Sequence, residues 1–256
     1  MSSAPRAAPL VVITMAGLGS RFRAAGYTLP KYRVEAHGRT LFAWSLLSLR
    51  EITAAGAEVV FVALAADQAG PFLAEQSARL GIRSQRLVEL DALTDGQATS
   101  ALRGMADSEA DRPVVIYNVD TLVEPPAFHP RHLRGAGWIP CFAGAGDAWS
   151  FVRADPDGRV LEVREKQRIS PHATLGLYAF GSVGLYRSAY AEFYANPANL
   201  ERGERYVAPM YNLLVSGGAE VWMTEVDSAL VHPLGTPGEV DAFAVTPPPA
   251  TVGGAP

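Results

Sequence analysis

The stretch Leu10-Val-Val-Ile-Thr-Met-Ala-Gly-Leu-Gly-Ser-Arg-Phe22 is a short apolar run followed directly by a glycine-rich segment. The apolar run over 10–14 is typical of a buried strand. Gly17 and Gly19 let the backbone turn tightly and come close to an anion, while Arg21 and the later Lys31 add two cations. The stretch therefore predicts a strand that opens into a phosphate-binding loop.

Two widespread phosphate loops do not fit this stretch. A dinucleotide-binding loop needs G-x-G-x-x-G, and the third glycine is missing here. A Walker loop needs Gly-Lys followed by Ser or Thr, and no such sequence follows. The pattern that is present is G-x-G-S-R, then a spacer, then Pro30-Lys31.

Composition limits the classes of protein to consider. With 256 residues and 48% hydrophobic content, we expect a single domain over 1–245 and a disordered tail rich in Pro, Ala and Gly over 246–256. The net charge of -4 argues against a nucleic-acid partner, and no apolar run reaches the roughly 20 residues that cross a bilayer. The lone Cys141 excludes an internal disulfide and suits a reducing cytoplasm, which we take as the expected location.

Apolar runs alternate with helical patterns in the first half of the chain, which favours βαβ units and a parallel sheet. The sequence predicts strands at 10–14, 59–64 and 114–120, and helices at 41–52 and 68–80. The second half predicts strands at 138–142, 150–153, 160–163, 175–180 and 220–225, with helices at 188–194 and 206–216. The expected fold class is α/β, with a Rossmann-like mixed, mainly parallel sheet flanked by helices and an antiparallel extension.

Taken together, several separated motifs resemble the sugar-phosphate nucleotidylyltransferases, and in particular the small enzymes of capsule or secondary-metabolite synthesis. The motifs are G-x-G-S-R with Pro30-Lys31, Asp95-Gly-Gln-Ala98, Asn118-Val-Asp120, Glu165-Lys166, Leu175-Gly176, Glu204-Arg-Tyr-Val-Ala-Pro-Met-Tyr-Asn212 and Gly235-Thr-Pro237. They follow the family's order from about residue 10 to residue 243. The resemblance implies the nucleotide-diphospho-sugar transferase fold, Mg²⁺ dependence, and transfer of a nucleotidyl group from an NTP to a phosphorylated small molecule with release of pyrophosphate.

The resemblance also implies roles for residues of this sequence. Arg21 and Lys31 are the expected catalytic cations, and Asp120 is the expected Mg²⁺ ligand. The nucleotide-binding candidates are Ala16, Gly17, Leu18, Gly19, Ser20, Gly96, Gln97 and Asn118. The acceptor-binding candidates are Glu165, Lys166, Gly176 and Glu204, whereas Tyr178 is interpreted as a core residue.

Simpler interpretations compete with these roles. Asp120 after a strand is also typical of a helix cap or a turn, and Gln97 could belong to a capping box begun by Thr94 or Asp95. One amide such as Gln97 can satisfy a pyrimidine or a purine edge by rotating. A pyrimidine nucleotide (CTP, UTP or dTTP) is favoured, but the sequence fixes neither the base nor the acceptor, and it leaves open whether the chain forms a homo-oligomer.

One position departs from the family pattern. Many sugar nucleotidylyltransferases have an aspartate two residues before the glycine of G-T-P as a second metal ligand, and this sequence has Pro233 there. Asp227 or His232 could replace it only if the fold brings either one close. A glycosyltransferase with a related sheet, or a nucleotide- or metabolite-sensing domain without catalysis, are the alternative functions.

Overall fold

The computed structural model describes residues 7–249, in which strands and helices alternate through the first half. The strands are β1 (Leu10–Thr14), β2 (Glu35–Ala36), β3 (Arg39–Thr40), β4 (Glu58–Leu64), β5 (Gln85–Leu90), β6 (Val114–Asn118), β7 (Thr121–Val123), β8 (Gly137–Ala143), β9 (Ser150–Ala154), β10 (Val160–Glu165), β11 (His172–Thr174), β12 (Leu177–Phe180), β13 (Val221–Glu225) and β14 (Val231–Pro233). The helices are α1 (Ser20–Ala24), α2 (Leu41–Leu47), α3 (Arg50–Ala54), α4 (Gly70–Arg79), α5 (Gln97–Gly104), α6 (Val183–Phe193), α7 (Tyr211–Ser216) and α8 (Pro237–Val245).

A ten-stranded sheet organises the molecule, with the strand order β10-β9-β11-β8-β12-β6-β1-β4-β5 and β13 paired to β8. Strands β6, β1, β4 and β5 are parallel, whereas β12, β8, β11, β9 and β10 continue the sheet through antiparallel pairs. This confirms the predicted mixed α/β sheet with an antiparallel extension. The division into one domain over 1–245 and a tail stays a prediction, and most of that tail lies outside the described residues.

Helices cover both faces of the sheet because its central strands are apolar on both sides. In β1, Val11 and Ile13 belong to one buried cluster, and Leu10 and Val12 belong to the other. Cys141 lies in the second cluster, where burial raises the pKa of its thiol, as expected for an inert side chain. None of the helices within 7–249 is long and apolar enough to span a membrane.

Three predicted elements differ from those in the structure. The helix predicted over 41–52 breaks between α2 and α3, where Ser48 Oγ accepts hydrogen bonds from the Val123 amide (2.9 Å) and the Tyr117 hydroxyl (3.2 Å). The strand predicted over 175–180 begins only at Leu177, as β12, because Gly176, whose φ is 71°, precedes it. The helix predicted over 206–216 begins only at Tyr211, after a 3₁₀ turn over Ala208–Met210.

Candidate active site

The site forms where the parallel strands β1 and β6 end side by side. Their last residues, Thr14 and Asn118, are partners in the strand register. From the first residue of α5, the Gln97 amide donates to Asn118 Oδ1 (2.5 Å) and Thr14 Oγ1 (3.3 Å). Helices on either side of β1 leave a crevice at this edge, which is where open α/β sheets bind ligands. The sheet topology therefore fixes the location of the site.

The start of α5 depends on close contact with a distant segment. Gly96 has φ 142° and ψ 175°, a conformation that is nearly exclusive to glycine. A Cβ on Gly96 would lie 2.4 Å from the Arg205 carbonyl oxygen and 2.5 Å from its amide nitrogen. Gly96 is the N-cap without a side-chain capping bond, so the capping-box interpretation of Gln97 is wrong. The close approach that Gly96 permits is to Arg205, and its contact with a base stays a prediction.

Two cations and a carboxylate meet at the mouth of the phosphate loop. Lys31 Nζ lies 2.9 Å from Asp120 Oδ2, so the Asp120 carboxylate contacts Lys31 and caps no helix. Arg21, from α1, reaches the same cavity and has no side-chain hydrogen bond or ion pair with any residue of 7–249. The arrangement presents two positive groups where a triphosphate would need them.

A polar cluster forms the opposite end of the cavity, at the ends of β9, β10 and β11. Ser150 Oγ donates a short hydrogen bond to Glu165 Oε2, and the Tyr178 hydroxyl lies 3.0 Å from Thr174 Oγ1 and 3.4 Å from Ser150 Oγ. Burial raises the pKa of Glu165, although Ser150 and the nearby Lys166 oppose the shift. Tyr178 thus belongs both to the core and to the site.

Lys166 is held beside this cluster. Its Nζ lies 2.6 Å from the Tyr206 hydroxyl and 3.5 Å from Glu165 Oε1. Glu204, the next candidate, sits in the exposed Glu201–Glu204 turn, two residues before Tyr206. Lys166 is therefore held by a tyrosine that the sequence analysis did not single out.

One cavity of about 320 Å³ connects the two ends. The predicted residues that line it are Gly17, Arg21, Lys31, Gln97, Asn118, Asp120, Glu165 and Gly176. The predicted residues outside its lining are Ala16, Leu18, Gly19, Ser20, Gly96, Lys166 and Glu204. All these assignments stay predictions, and the structure shows which of them converge on one space.

The cavity also contains residues that were not predicted. They are Thr14, Met15, Thr121, Ala148, Trp149, Ser150, Thr174, Tyr206, Pro233 and Glu239, with Tyr178 and Gly235. The two suggested replacements for the ligand missing at Pro233 have other partners: Asp227 accepts from the Ala229 amide (2.9 Å), and His232 Nε2 lies 3.0 Å from Glu124 Oε1. Neither of them lines the cavity.

The raised pKa of Glu165 leads to a test by pH. Because the folded protein retains this proton above the usual pKa of 4.5, Glu165 contributes stability that is present below pH 4.5 and is lost as pH rises through the folded pKa. Glu165→Gln has no carboxyl group to ionise at this position, so this loss of stability with rising pH should be absent. We expect the difference in urea midpoint, variant minus wild type, to increase between pH 4.5 and pH 7.

Glu162, on the same strand, provides a control of opposite sign. Hydrogen bonds from Arg153 and Arg164 lower the pKa of Glu162, so its contribution is present above pH 4.5 and is lost as pH falls. Relative to wild type, Glu162→Gln should therefore lose stability as pH rises toward 4.5, and the difference should stay nearly constant between pH 4.5 and pH 7. A difference between Glu165→Gln and wild type that stayed constant with pH would contradict the assigned burial effect.

Comparison with known proteins places this geometry in a family. A nucleoside-diphosphate-sugar pyrophosphorylase from Vibrio cholerae RC9 is 34% identical, with a TM-score of 0.85 over 92% of this chain and 100% of that chain. An inositol-1-phosphate CTP transferase from T. maritima is 15% identical, with a TM-score of 0.71 over 91% of this chain and 92% of that one. A putative glucose-1-phosphate thymidylyltransferase from Bacillus anthracis is 15% identical, with a TM-score of 0.73 over 94% and 98%.

The last two likenesses concern the fold alone. Neither the protein-family models nor the curated proteins gave a match. The first likeness combines identity above 30% with full coverage of the other chain. By this relationship, and with the motifs in place around one cavity, the chain belongs to the nucleoside-diphosphate-sugar pyrophosphorylase family of nucleotidyltransferases.

Proposed function

We propose that this chain joins an NTP to a phosphorylated small molecule, a sugar phosphate or a related metabolite phosphate, to give an NDP-linked product and pyrophosphate. An acceptor phosphate oxygen forms a bond to the α-phosphorus as the bond to the bridging oxygen of pyrophosphate breaks, and pyrophosphate leaves with the electron pair. The observation that carries the proposal is the single cavity with Arg21, Lys31 and Asp120 at one end and Glu165 with Tyr206 at the other. Such a reaction needs both substrates in one space.

The proposed nucleotide end is the edge shared by β1 and β6. There the loop over 15–20 would surround the triphosphate, Arg21 would hold the leaving pyrophosphate and Lys31 would contact the α-phosphate. Gln97 and Asn118 would contact the base, and we propose a pyrimidine. The proposed reaction takes place in the cytoplasm and supplies activated building blocks for a capsule or a secondary metabolite.

The residues at this end fit a divalent cation that enters with the nucleotide. Within 7–249, no group of three or more His, Cys, Asp and Glu side chains could hold a metal ion, so phosphate oxygens and water must complete the coordination. The protein would supply Asp120 and Glu239, because both line the cavity beside Gly235. A Cβ built on Gly235 would lie 3.6 Å from Glu239 Oε2 and 3.8 Å from Asp120 Oδ2. Bound Mg²⁺ would offset the charge of the phosphates.

Glu239 is suited to this role because its carboxylate has no partner in the described part of the chain. Its amide donates to Thr236 Oγ1 (3.2 Å), as in a capping box, yet its side chain makes no reciprocal bond among residues 7–249.

We expect Glu239→Gln to raise the Mg²⁺ concentration for half-maximal rate by about tenfold, the lower end of losses seen when groups supporting a metal are removed. Mn²⁺ binding in the presence of NTP, followed by electron paramagnetic resonance, should weaken in parallel. Asp241→Asn, on the exposed side of α8, is the matched control, and equal Mn²⁺ affinity in both variants would contradict the role.

Pyrophosphate release with Mg²⁺ tests the proposed reaction. CTP, UTP, dTTP, GTP and ATP are each combined with pools of sugar, polyol and amino-acid-derived phosphates. Release that depends on both substrates supports the proposal and identifies the nucleotide. Release of an NDP from a preformed nucleotide sugar would instead indicate a glycosyltransferase, and NTP binding without any product would indicate a sensing domain.

A further inference from the structure

The 256-residue sequence contains only two lysines, Lys31 and Lys166, among its 22 lysines and arginines. Lys31 contacts Asp120 at the nucleotide end of the cavity. Lys166 stands at the other end, next to Glu165 and Tyr206, which both line the cavity. Both lysine ammonium groups of the sequence thus lie at the two ends of the site, and every other basic side chain is an arginine or a histidine.

The backbone of Lys166 is fixed in an uncommon conformation. Its φ is 51°, in the left-handed region that few residues other than glycine adopt, and its amide donates to the Trp149 carbonyl (2.9 Å). The Nζ atom of Lys166 lies 2.6 Å from the Tyr206 hydroxyl oxygen and 4.3 Å from the centre of the Tyr206 ring. The lysine is therefore positioned from both its backbone and its ammonium group.

Tyr206 is itself fixed on two sides. Its carbonyl accepts a hydrogen bond from the Tyr194 hydroxyl (2.6 Å). Its own hydroxyl accepts a hydrogen bond from Lys166 (2.6 Å). Burial raises the pKa of the Tyr206 phenol, and the Glu204 side chain adds to the shift, so the phenol keeps its proton.

An ammonium group has three N–H donors. In Lys166, Tyr206 and Glu165 account for two of them, and within 7–249 no other side-chain partner is present for the third. Because Tyr206 is neutral, its hydrogen bond fixes the ammonium without cancelling its charge, whereas Glu165, at 3.5 Å, offsets part of that charge. The third donor stays available for an anion.

We propose that Tyr206 is a positioning residue that fixes the Lys166 ammonium to receive the phosphate of the acceptor. The inference rests on the proposed function, since it concerns the acceptor half of the same site.

The electrostatic surroundings agree with this arrangement. Burial lowers the pKa of Lys166, but the hydrogen bond to Tyr206 and the charge of Glu165 outweigh it and raise the pKa above its usual range. Without the Tyr206 hydroxyl, the pKa of Lys166 should fall. The effect is specific to Lys166, because Tyr206 is not a partner of Lys31.

The small number of lysines makes a direct test possible. Protein labelled with ε-¹³C-lysine gives two side-chain resonances, assigned with Lys31→Arg and Lys166→Arg, and these are followed during titrations with pH and with inorganic phosphate. In Tyr206→Phe, the ring stays and only the hydroxyl is lost. We expect the pKa of Lys166 to fall and its apparent Kd for phosphate to rise about tenfold, as for loss of one charge-assisted hydrogen bond, while the Lys31 resonance keeps its wild-type titration.

Tyr194→Phe is the matched control, because it removes a hydroxyl that holds the same backbone segment without touching Lys166. It should change the Lys166 titrations much less than Tyr206→Phe does, because Lys166 keeps its hydrogen bond to the Tyr206 hydroxyl. The inference is overturned if Tyr206→Phe leaves both Lys166 titrations unchanged, or if Tyr194→Phe changes them equally. Steady-state rates give the second readout, in which Tyr206→Phe should raise KM for the acceptor about tenfold and leave KM for the NTP within about twofold. Failure of the proposed function would be distinct, because wild type would then release no pyrophosphate even though the resonances responded as expected.

Discussion

Replacing Lys31 with alanine is expected to lower kcat for pyrophosphate release by about 10³-fold, the upper end of losses for one preorganised group that stabilises developing charge. Lys31 places its ammonium 2.9 Å from Asp120, at the mouth of the phosphate loop and inside the cavity that Arg21 also reaches. Charge on the α-phosphate must be stabilised there as the acceptor oxygen attacks. The measurement is acceptor-dependent pyrophosphate release at saturating NTP.

The fold should survive this substitution. The side chains of Lys31 and Asp120 are 20% and 28% exposed, and such partly exposed ion pairs contribute only about 0–1 kcal/mol to stability. Arg79→Ala, which breaks the exposed pair with Glu75 on α4, is the control for loss of an ion pair away from the cavity. Wild-type turnover in Lys31→Ala would remove the basis of the catalytic assignment.

Replacing Gly96 with alanine is expected to lower the free energy of unfolding by about 2–4 kcal/mol, because strain in a glycine-only conformation adds to a steric clash. The added Cβ would come within 2.5 Å of two Arg205 backbone atoms, which are not the movable end of a side chain. The start of α5 would have to shift, and Gln97 would lose its place beside Thr14 and Asn118. Urea unfolding measures the first effect, and KM for the NTP, which should rise, measures the second.

Gly146→Ala separates the two causes of instability. Gly146 has φ 72°, but a Cβ there would have no neighbour within 4 Å. The free energy of unfolding of Gly146→Ala should therefore fall by only about 1 kcal/mol, the cost of a left-handed conformation without a clash. Equal losses in the two variants would show that contact with Arg205 is not what requires glycine at 96.

The convergence of residues at the proposed nucleotide end was predictable because most of them are local in sequence. A strand, a glycine loop and a following cation lie within 10–31, and Asp120 follows the next parallel strand of the sheet at the same edge. The carboxyl ends of neighbouring parallel strands must meet, so the convergence of these residues follows from the fold class alone. The roles expected of the later motifs came from their resemblance to a known family, in which they occur in the same order.

The rest of the candidate site depends on contacts between distant segments, which a single sequence does not specify. The need for glycine at 96 is explained by Arg205, more than a hundred residues later, and Tyr206 is paired with Lys166 across 40 positions. Glu239 has the sequence signature of an ordinary capping box after Thr236, and only the direction of its side chain shows that it lines the cavity. A threonine followed three positions later by glutamate could have been noted as a helix start, but not as part of the site.

The segment of Arg205 and Tyr206 contacts both halves of the cavity. Arg205 donates its amide to the Asp95 carbonyl (2.8 Å) and accepts from the Ala98 amide (3.0 Å), on either side of Gln97, while Tyr206 holds Lys166. If the two substrates bind as proposed, a displacement that one of them imposes on this segment would reach the subsite of the other. By thermodynamic reciprocity, any gain in affinity for the acceptor that the nucleotide produced in this way would be matched by an equal gain for the nucleotide. Two consecutive residues would thus link the two binding equilibria.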